Sequence, residues 1–275
     1  MVIPKIIHYC WLSNDPIPEK YQKCMDSWKE KLQGYEFILW NFERFDIDSS
    51  LWVKQAFQAK KYAFAADFIR LYAIYNYGGF YLDTDIEIIK SLDDLLDNDI
   101  VLGYESDMNG FEAACLGAEK HHPFLKKCLN YYDNRSFIKP NGDYDVRVLP
   151  KIIKEIYNEN IDLGIHIYSP DFFSPKNWYT GMINLTENTY SIHHFESGWK
   201  DNCEKKDKQE RWDFYEKYGK DEYLVEIFKK MKKYENTLAY YEKNPLNLLC
   251  KVFIRRIFGE KIMIKAKQLL KSEGR

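Results

Sequence analysis

The stretch that most constrains this chain runs from Gln55 to Lys90. Ala56 to Tyr77 is rich in Ala, Phe, Tyr, Ile and Leu and contains neither Gly nor Pro, as a buried helix should. Gly78-Gly79 stops it, because Gly takes the left-handed conformation that a helix end often needs. Phe80 to Ile89 then reads as a strand, with Phe80, Leu82, Ile86 and Ile88 on one phase and Tyr81, Asp83, Asp85 and Glu87 on the other. In an extended strand, positions i and i+2 point the same way, about 7 Å apart. Asp83 and Asp85 therefore present two carboxylates to one small volume. Such groups repel unless a cation sits between them or one stays protonated. Hard oxygen ligands suit Mg²⁺ or Mn²⁺, which commonly reach a protein through one or two carboxylates plus substrate phosphates. The plainer alternative is a solvated strand end without metal. Against it, the pair follows an apolar strand, where an exposed acidic pair gains nothing structurally.

Asp67 and Arg70 lie at i and i+3 on the preceding helix and share a face. They are either an ordinary helix ion pair or a preoriented pair lining a pocket beside the aspartates. Ala63, Ala65 and Ala66 leave room for close approach. Taken together, Ala63, Asp67, Arg70, Leu71, Gly78, Gly79, Tyr81, Leu82, Asp83 and Asp85 form the pattern A-x-x-x-D-x-x-R, then L-x-x-x-x-x-G-G-x-Y-L-D-x-D. This pattern resembles the D-x-D sugar-binding region of glycosyltransferase family 32, and it recurs in the clostridial glucosylating toxins. The resemblance implies an α/β fold of the GT-A type, a Rossmann-like nucleotide-sugar-binding domain with added helices. It also implies that Tyr81 belongs to the nucleotide- and sugar-binding set.

With 275 residues, the chain is long enough for one large core with a helical appendage. The formal net charge of −2 provides no global attraction to nucleic acid. Six scattered cysteines without a C-x-x-C argue against zinc and against a disulfide framework. There is no long apolar run and no leader ahead of Ile3, so a cytoplasmic protein is expected.

Val2 to Trp11 reads as an opening strand, with His8 and Trp11 near its carboxyl end, where α/β folds bind nucleotides. Read alone, they are a core histidine and a capping aromatic. The resemblance implies instead that Trp11 stacks on the nucleobase and His8 supports the strand end. Tyr35 to Phe42 reads as a second strand leading into Asn41, a candidate for the base or ribose from its position. Asp107, Asn109 and Glu112 are polar candidates that nothing local separates from loop residues. His121-His122-Pro123 marks a helix start, and a cap is the better reading of either histidine than a metal role.

A late strand, Tyr190 to Phe195, ends in Glu196-Ser197-Gly198-Trp199. By resemblance, His194 and Ser197 would join Asp85 around a metal, with Trp199 over the diphosphate and Glu196 as the rival ligand. The toxins carry an acidic residue where His194 stands. Imidazole at this position favours Mn²⁺ over Mg²⁺.

The division expected is a glycosyltransferase domain over 1–243 and a basic amphipathic helical segment over 244–275. From Pro245 to Arg275 there are eight basic residues against two acidic ones, interleaved with Leu, Ile, Val and Phe. Such a segment can lie on an anionic membrane face or pack on the domain.

The implied activity is a retaining, metal-dependent hexosyl transfer from a nucleotide sugar, UDP-sugar favoured, to a saccharide or lipid-linked acceptor. Bacterial surface polysaccharide or glycolipid synthesis is the implied setting. Asp83 would bind ribose and sugar hydroxyls, and Asp67 and Arg70 would orient the sugar. The alternatives are a nucleotidyl- or phosphotransferase using the same D-x-D and a non-catalytic sugar-binding protein.

Overall fold

The structure is a computed structural model and describes residues 2–13, 15–196 and 202–243. The chain forms two compact units, 1–208 and 209–275. The expected segment 244–275 lies outside the described residues.

Unit 1 is built on a six-stranded sheet. In chain order its strands are β1 (Ile6–Cys10), β2 (Glu36–Trp40), β3 (Gly79–Leu82), β5 (Ile100–Gly103), β6 (Cys115–Ala118) and β7 (Ile167–Tyr168). Across the sheet they lie in the order β2-β1-β3-β6-β5-β7. β1 is parallel to β2 and β3, β6 is antiparallel to β3 and β5, and β7 is parallel to β5. Every strand but β6 therefore runs the same way, and five carboxyl ends converge on one edge. The α/β class with a Rossmann-like parallel half is thus what the chain forms. A separate two-stranded ribbon joins β4 (Ile86–Ile88) antiparallel to β8 (Ser191–His193).

The sheet buries both faces. The period-2 alternation of β3 sends Tyr81 into one apolar core and Phe80 and Leu82 into the other. The Tyr81 face is covered by α2 (Leu51–Gln58), α3 (Tyr62–Tyr77), α4 (Pro123–Asn130) and α5 (Leu149–Asn158). The opposite face packs on α1 (Glu19–Lys31), through Trp28. It also meets Ile86 and Ile88 of the ribbon and Phe173 of α6 (Pro170–Phe173).

The single helix expected over Ala56 to Tyr77 is two helices. Ser50 caps α2 by accepting from the Val53 N–H, Lys60 takes φ +56°, and α3 restarts at Tyr62. The Trp52 indole N–H donates to Phe64 O at 2.8 Å and locks the corner. No Gly or Pro marks it, because tertiary packing makes the break. Gly78 does cap α3, with φ +70°, as the glycine pair implies. His122 does cap α4, its Nδ1 accepting from the Phe124 N–H. The described cysteines Cys10, Cys24, Cys115 and Cys128 are buried free thiols.

Unit 2 contains the end of α7 (Asn202–Tyr218) and α8 (Glu222–Lys243). Phe214 and Phe228 stack at 3.9 Å, and Lys232 pairs with Glu210 at 3.4 Å. Among the described residues, no helix is long and apolar enough to cross a membrane.

Candidate active site

The strand expected over Phe80 to Ile89 breaks at the acidic pair. β3 ends at Leu82, the Asp83 N–H still donates to Ala114 O at 2.8 Å, and Ile86 N–H closes a turn back onto Asp83 O at 3.0 Å. The chain then changes sheets and enters β4. Asp83 and Asp85 therefore sit on a turn at the carboxyl edge of the sheet, not on one phase of a strand. Aspartates favour such turns. The turn does what the strand geometry was expected to do: it brings both carboxylates to one place, and with them His193. One ligand atom from each of Asp83, Asp85 and His193 lies within 4.8 Å of the others.

Arg70 anchors one side of this cluster. Its guanidinium is held 3.2 Å from Asp67 Oδ1 and 3.2 Å from Asp83 Oδ1, and it donates to Ala113 O at 2.7 Å. It also lies 4.6 Å from the centre of the Tyr81 ring. The Tyr81 hydroxyl donates to Asp83 Oδ1 at 2.9 Å. Arg70 has only 6% of its side chain exposed, and Tyr81 is 1% exposed. The expectation that these two residues touch the donor is therefore corrected. They are buried beneath Asp83 and hold its carboxylate in place. Burial pushes Asp67 up to about 6, against the pull of Arg70.

His193 anchors the other side. Its Nδ1 lies 3.1 Å from Glu112 Oε2, and its Nε2 lies 3.6 Å from Asp85 Oδ2. Glu112 is fixed in turn by the Ala114 N–H, donated to Oε1 at 2.8 Å. The Asp85 carboxylate also accepts the Glu196 N–H at 2.9 Å. Burial opposes charge throughout the cluster, and at His193 and Asp85 the partners outweigh it. His193 is raised well above its ordinary range by Glu112 and Asp85. Asp85 is pulled down to about 2 by His193. Asp83 moves the other way, raised by burial and by the neighbouring Asp85 despite Arg70. Two carboxylates and an imidazole are a donor set that Mn²⁺ or Mg²⁺ accepts, and a cation there would relieve the repulsion that raises Asp83.

The expected ligand His194 is elsewhere. Its Nε2 sits 2.8 Å from Glu87 Oε2, because adjacent strand residues face opposite sides and the β8 register sets His193 opposite Ile86, next to Asp85. The Glu196 carboxylate meets Lys20 Nζ at 2.5 Å, so its backbone and not its side chain reaches Asp85. Ser197 and Trp199 lie outside the described residues.

His8 is 0% exposed, with Nε2 donating to Gly78 O at 2.8 Å and Nδ1 accepting from Trp40 Nε1 at 3.1 Å. It ties the first strand to the glycine cap, so within the nucleotide-binding end its part is support of the strand and both ring nitrogens are taken by the protein. Trp11 stands half-buried just past β1, its indole N–H donating to Asp15 O at 2.7 Å and its ring 5.8 Å from Tyr21. Asn41, just past β2, uses its side-chain oxygen to accept from the Glu43 and Arg44 N–H groups, both at 3.2 Å. Both residues lie at the carboxyl edge of the sheet.

Sequence reasoning passed over His193 and left Glu112 undistinguished. The available signals were the shared phase of Ser191 and His193, and a lone carboxylate inside the apolar run FEAACLGA. Glu105, after β5, was not singled out. Burial and then the Glu112 charge push it up to about 8.

Residues 18–102 match the family model described as the glycosyltransferase sugar-binding region containing DXD motif. Over that stretch, which runs from α1 to β5 and includes the aspartate turn, the chain is similar to such a region. It is 35% identical over 127 residues to inositol phosphoceramide mannosyltransferase 3 of Schizosaccharomyces pombe, covering 45% of this chain and 35% of that protein. It is 30% identical over 212 residues to a mannosyl phosphorylinositol ceramide synthase of Saccharomyces cerevisiae, covering 67% of this chain and 55% of the yeast protein. The matches thus span from about a third to just over half of these relatives. Among solved structures, the PaToxG glycosyltransferase superposes with a TM-score of 0.47 at 20% identity, covering 58% of this chain and 70% of that one.

Proposed function

We propose that this protein transfers a hexosyl group from a nucleoside diphosphate sugar to a hydroxyl of a lipid-linked or saccharide acceptor, with retention at the anomeric carbon. The observation that carries this reading is the convergence of Asp83, Asp85 and His193 at the carboxyl edge of the sheet, inside or folded against the matched DXD region. The yeast relatives are a mannosyltransferase of inositol phosphoceramide and a mannosyl phosphorylinositol ceramide synthase, which favours a mannosyl donor and a lipid acceptor over a capsular polysaccharide. UDP is kept as the first base to test.

In this reading the acceptor oxygen bonds to the anomeric carbon as the bond from that carbon to the diphosphate oxygen breaks. The acceptor proton passes to the departing diphosphate. A divalent cation, Mn²⁺ before Mg²⁺, would be held by Asp85, Asp83 and His193 and would stabilise the negative charge growing on the leaving group. Arg70 and Tyr81 fix the Asp83 carboxylate in one orientation before the donor arrives, which lowers the cost of ordering the reacting groups. Glu112 fixes the His193 ring by accepting from its Nδ1. Trp11 and Asn41 stand where a base and ribose would lie, past β1 and β2. Ser197 and Trp199 retain their place in the reading by resemblance alone. A cytoplasmic location, with the basic segment 244–275 resting on an anionic membrane face, would suit a lipid acceptor.

The test is nucleoside diphosphate release from a panel of UDP- and GDP-sugars with Mn²⁺, Mg²⁺ or chelator, beside Asp85→Ala. We expect cation-dependent turnover of one donor and a loss of at least ~100-fold in the variant. Pyrophosphate as the product would replace this reading with nucleotidyl transfer. An inverted product anomer would overturn retention.

A further inference from the structure

The segment that leaves β8 wraps Asp85 in a conformation its own residues do not favour. The His194 N–H donates to Asp85 O at 3.1 Å, and the Glu196 N–H donates to Asp85 Oδ2 at 2.9 Å. His193 Nε2 lies 3.6 Å from that same carboxylate oxygen. Phe195 stands among these contacts at φ +54°. A side chain as bulky as Phe rarely takes the left-handed region, and residues held there cluster at functional sites. The Phe195 ring comes back onto the His193 ring, with centroids 4.0 Å apart and planes 27° from parallel.

Two buried lysines hold this turn. Lys176, just past α6, donates from Nζ to His194 O at 3.2 Å, and Lys208 of α7 donates from Nζ to Phe195 O at 2.6 Å. Each is 8% exposed. The two carbonyls belong to the peptide units before and after the Phe195 Cα, so holding both fixes the two soft dihedrals between them. Lysine is almost never so deeply buried unless paired. Burial lowers Lys176; the Glu196 charge opposes that, and Lys208 then adds to it ahead of the opposing Asp85. Two ammonium groups are therefore buried within reach of each other and of Asp85. Such placement costs stability unless the groups are bonded, and the bonds they make are to the backbone of this turn.

We infer that Lys176 and Lys208 are positioning residues for the cation centre: by holding the His194 and Phe195 carbonyls, they keep Phe195 left-handed and so keep the His193 ring and the Glu196 N–H on Asp85. The consequence for a cation rests on the reading of Asp83, Asp85 and His193 as its ligands; the clamp on the turn does not. Neither lysine is a ligand, and both act through the backbone. Their charge repels a cation at Asp85, while their geometry prepares its site. The two effects have opposite signs when lysine becomes methionine. Loss of charge alone would tighten cation binding, and loss of the clamp weakens it.

The experiment compares the full chain with Lys176→Met, Lys208→Met and Lys90→Met. Lys90 is the control, since its Nζ also donates to a backbone carbonyl, that of Glu187 at 2.8 Å, outside this turn. Electron paramagnetic resonance of free Mn²⁺ gives Kd, NMR follows amide exchange, and melting curves without metal verify folding. We expect Mn²⁺ Kd to rise about tenfold in both clamp variants and to hold in Lys90→Met. The His194 and Glu196 amides should exchange about tenfold faster, while the Ile89 amide on Tyr190 O keeps its protection. Either folded clamp variant is decisive. Phe195→Val, whose branched side chain resists the left-handed turn with both lysines present, takes their place if neither folds. Unchanged or tighter Mn²⁺ binding, or unchanged exchange at both amides, overturns the assignment. A wild type that binds neither Mn²⁺ nor Mg²⁺ would remove the cation reading, and the exchange rates would still decide the clamp.

Discussion

Asp83 and Asp85 are the same side chain two positions apart, and their surroundings separate them. One is raised by burial and its neighbour's charge; the other is drawn down by His193. Pairs pushed apart in this way mark sites where charge is handled. His8 shows the opposite use of a histidine. Burial lowers it to about 4, with Arg44 adding to the effect and the Gly78 carbonyl opposing it. It is neutral when folded and takes up a proton when unfolded, so its contribution is fully present above its unfolded value of 6.5 and is lost as pH falls toward 4. Between about pH 7.5 and pH 4.5 this amounts to roughly 2–3 kcal/mol of unfolding free energy. Denaturant titrations at the two pH values should show that difference shrink by this amount in His8→Gln. An unchanged pH dependence would mean that His8 is not buried as a neutral ring.

At the scale of elements, the α3–β3 junction sets the site. The chain reverses from helix to strand through two glycines so that Asp67 and Arg70 on the helix face the end of the strand. Gly79 has φ +101°, and a Cβ there would lie 2.5 Å from Ile6 O in the neighbouring strand. Gly142 has φ +87° and open space around it. Gly142→Ala should therefore cost about 1 kcal/mol, from backbone conformation alone, while Gly79→Ala should cost at least ~3 kcal/mol, because strand spacing must also give. Urea midpoints of the two variants measure the contrast, and equal midpoints would show that the junction tolerates a side chain. The ribbon of β4 and β8 has a matching role: its register decides which of two adjacent histidines reaches the aspartates.

For the molecule as a whole, the carboxyl ends of five strands share one edge with a single acidic turn. A cation held there binds the folded chain and not the unfolded one, so it should stabilise by mass action. At 100 times its Kd this is about 2.7 kcal/mol, a rise of several degrees in melting temperature. Mn²⁺ should produce the shift, EDTA should reverse it, and Asp85→Ala should abolish it in thermal melts. A melting temperature indifferent to both Mn²⁺ and Mg²⁺ would count against a metal at Asp83, Asp85 and His193.

The sequence by itself determined the glycine stop at Gly78, the helix start at His121-His122-Pro123 and the acidic pair, because these rest on local backbone preference and on side-chain period; the α/β class came through the resemblance those residues carry. Tertiary structure alone decided the corner at Lys60, the turn that breaks the strand at Asp83, and the choice of His193 over His194. It also made Arg70 and Tyr81 buried supports of Asp83. Each of these depends on partners distant along the chain: Trp52 on Phe64, Arg70 on Ala113, Glu112 on His193, Trp40 on His8. Local propensity can say that a residue sits at the end of a strand. Which atoms it meets there is decided by strand register and packing.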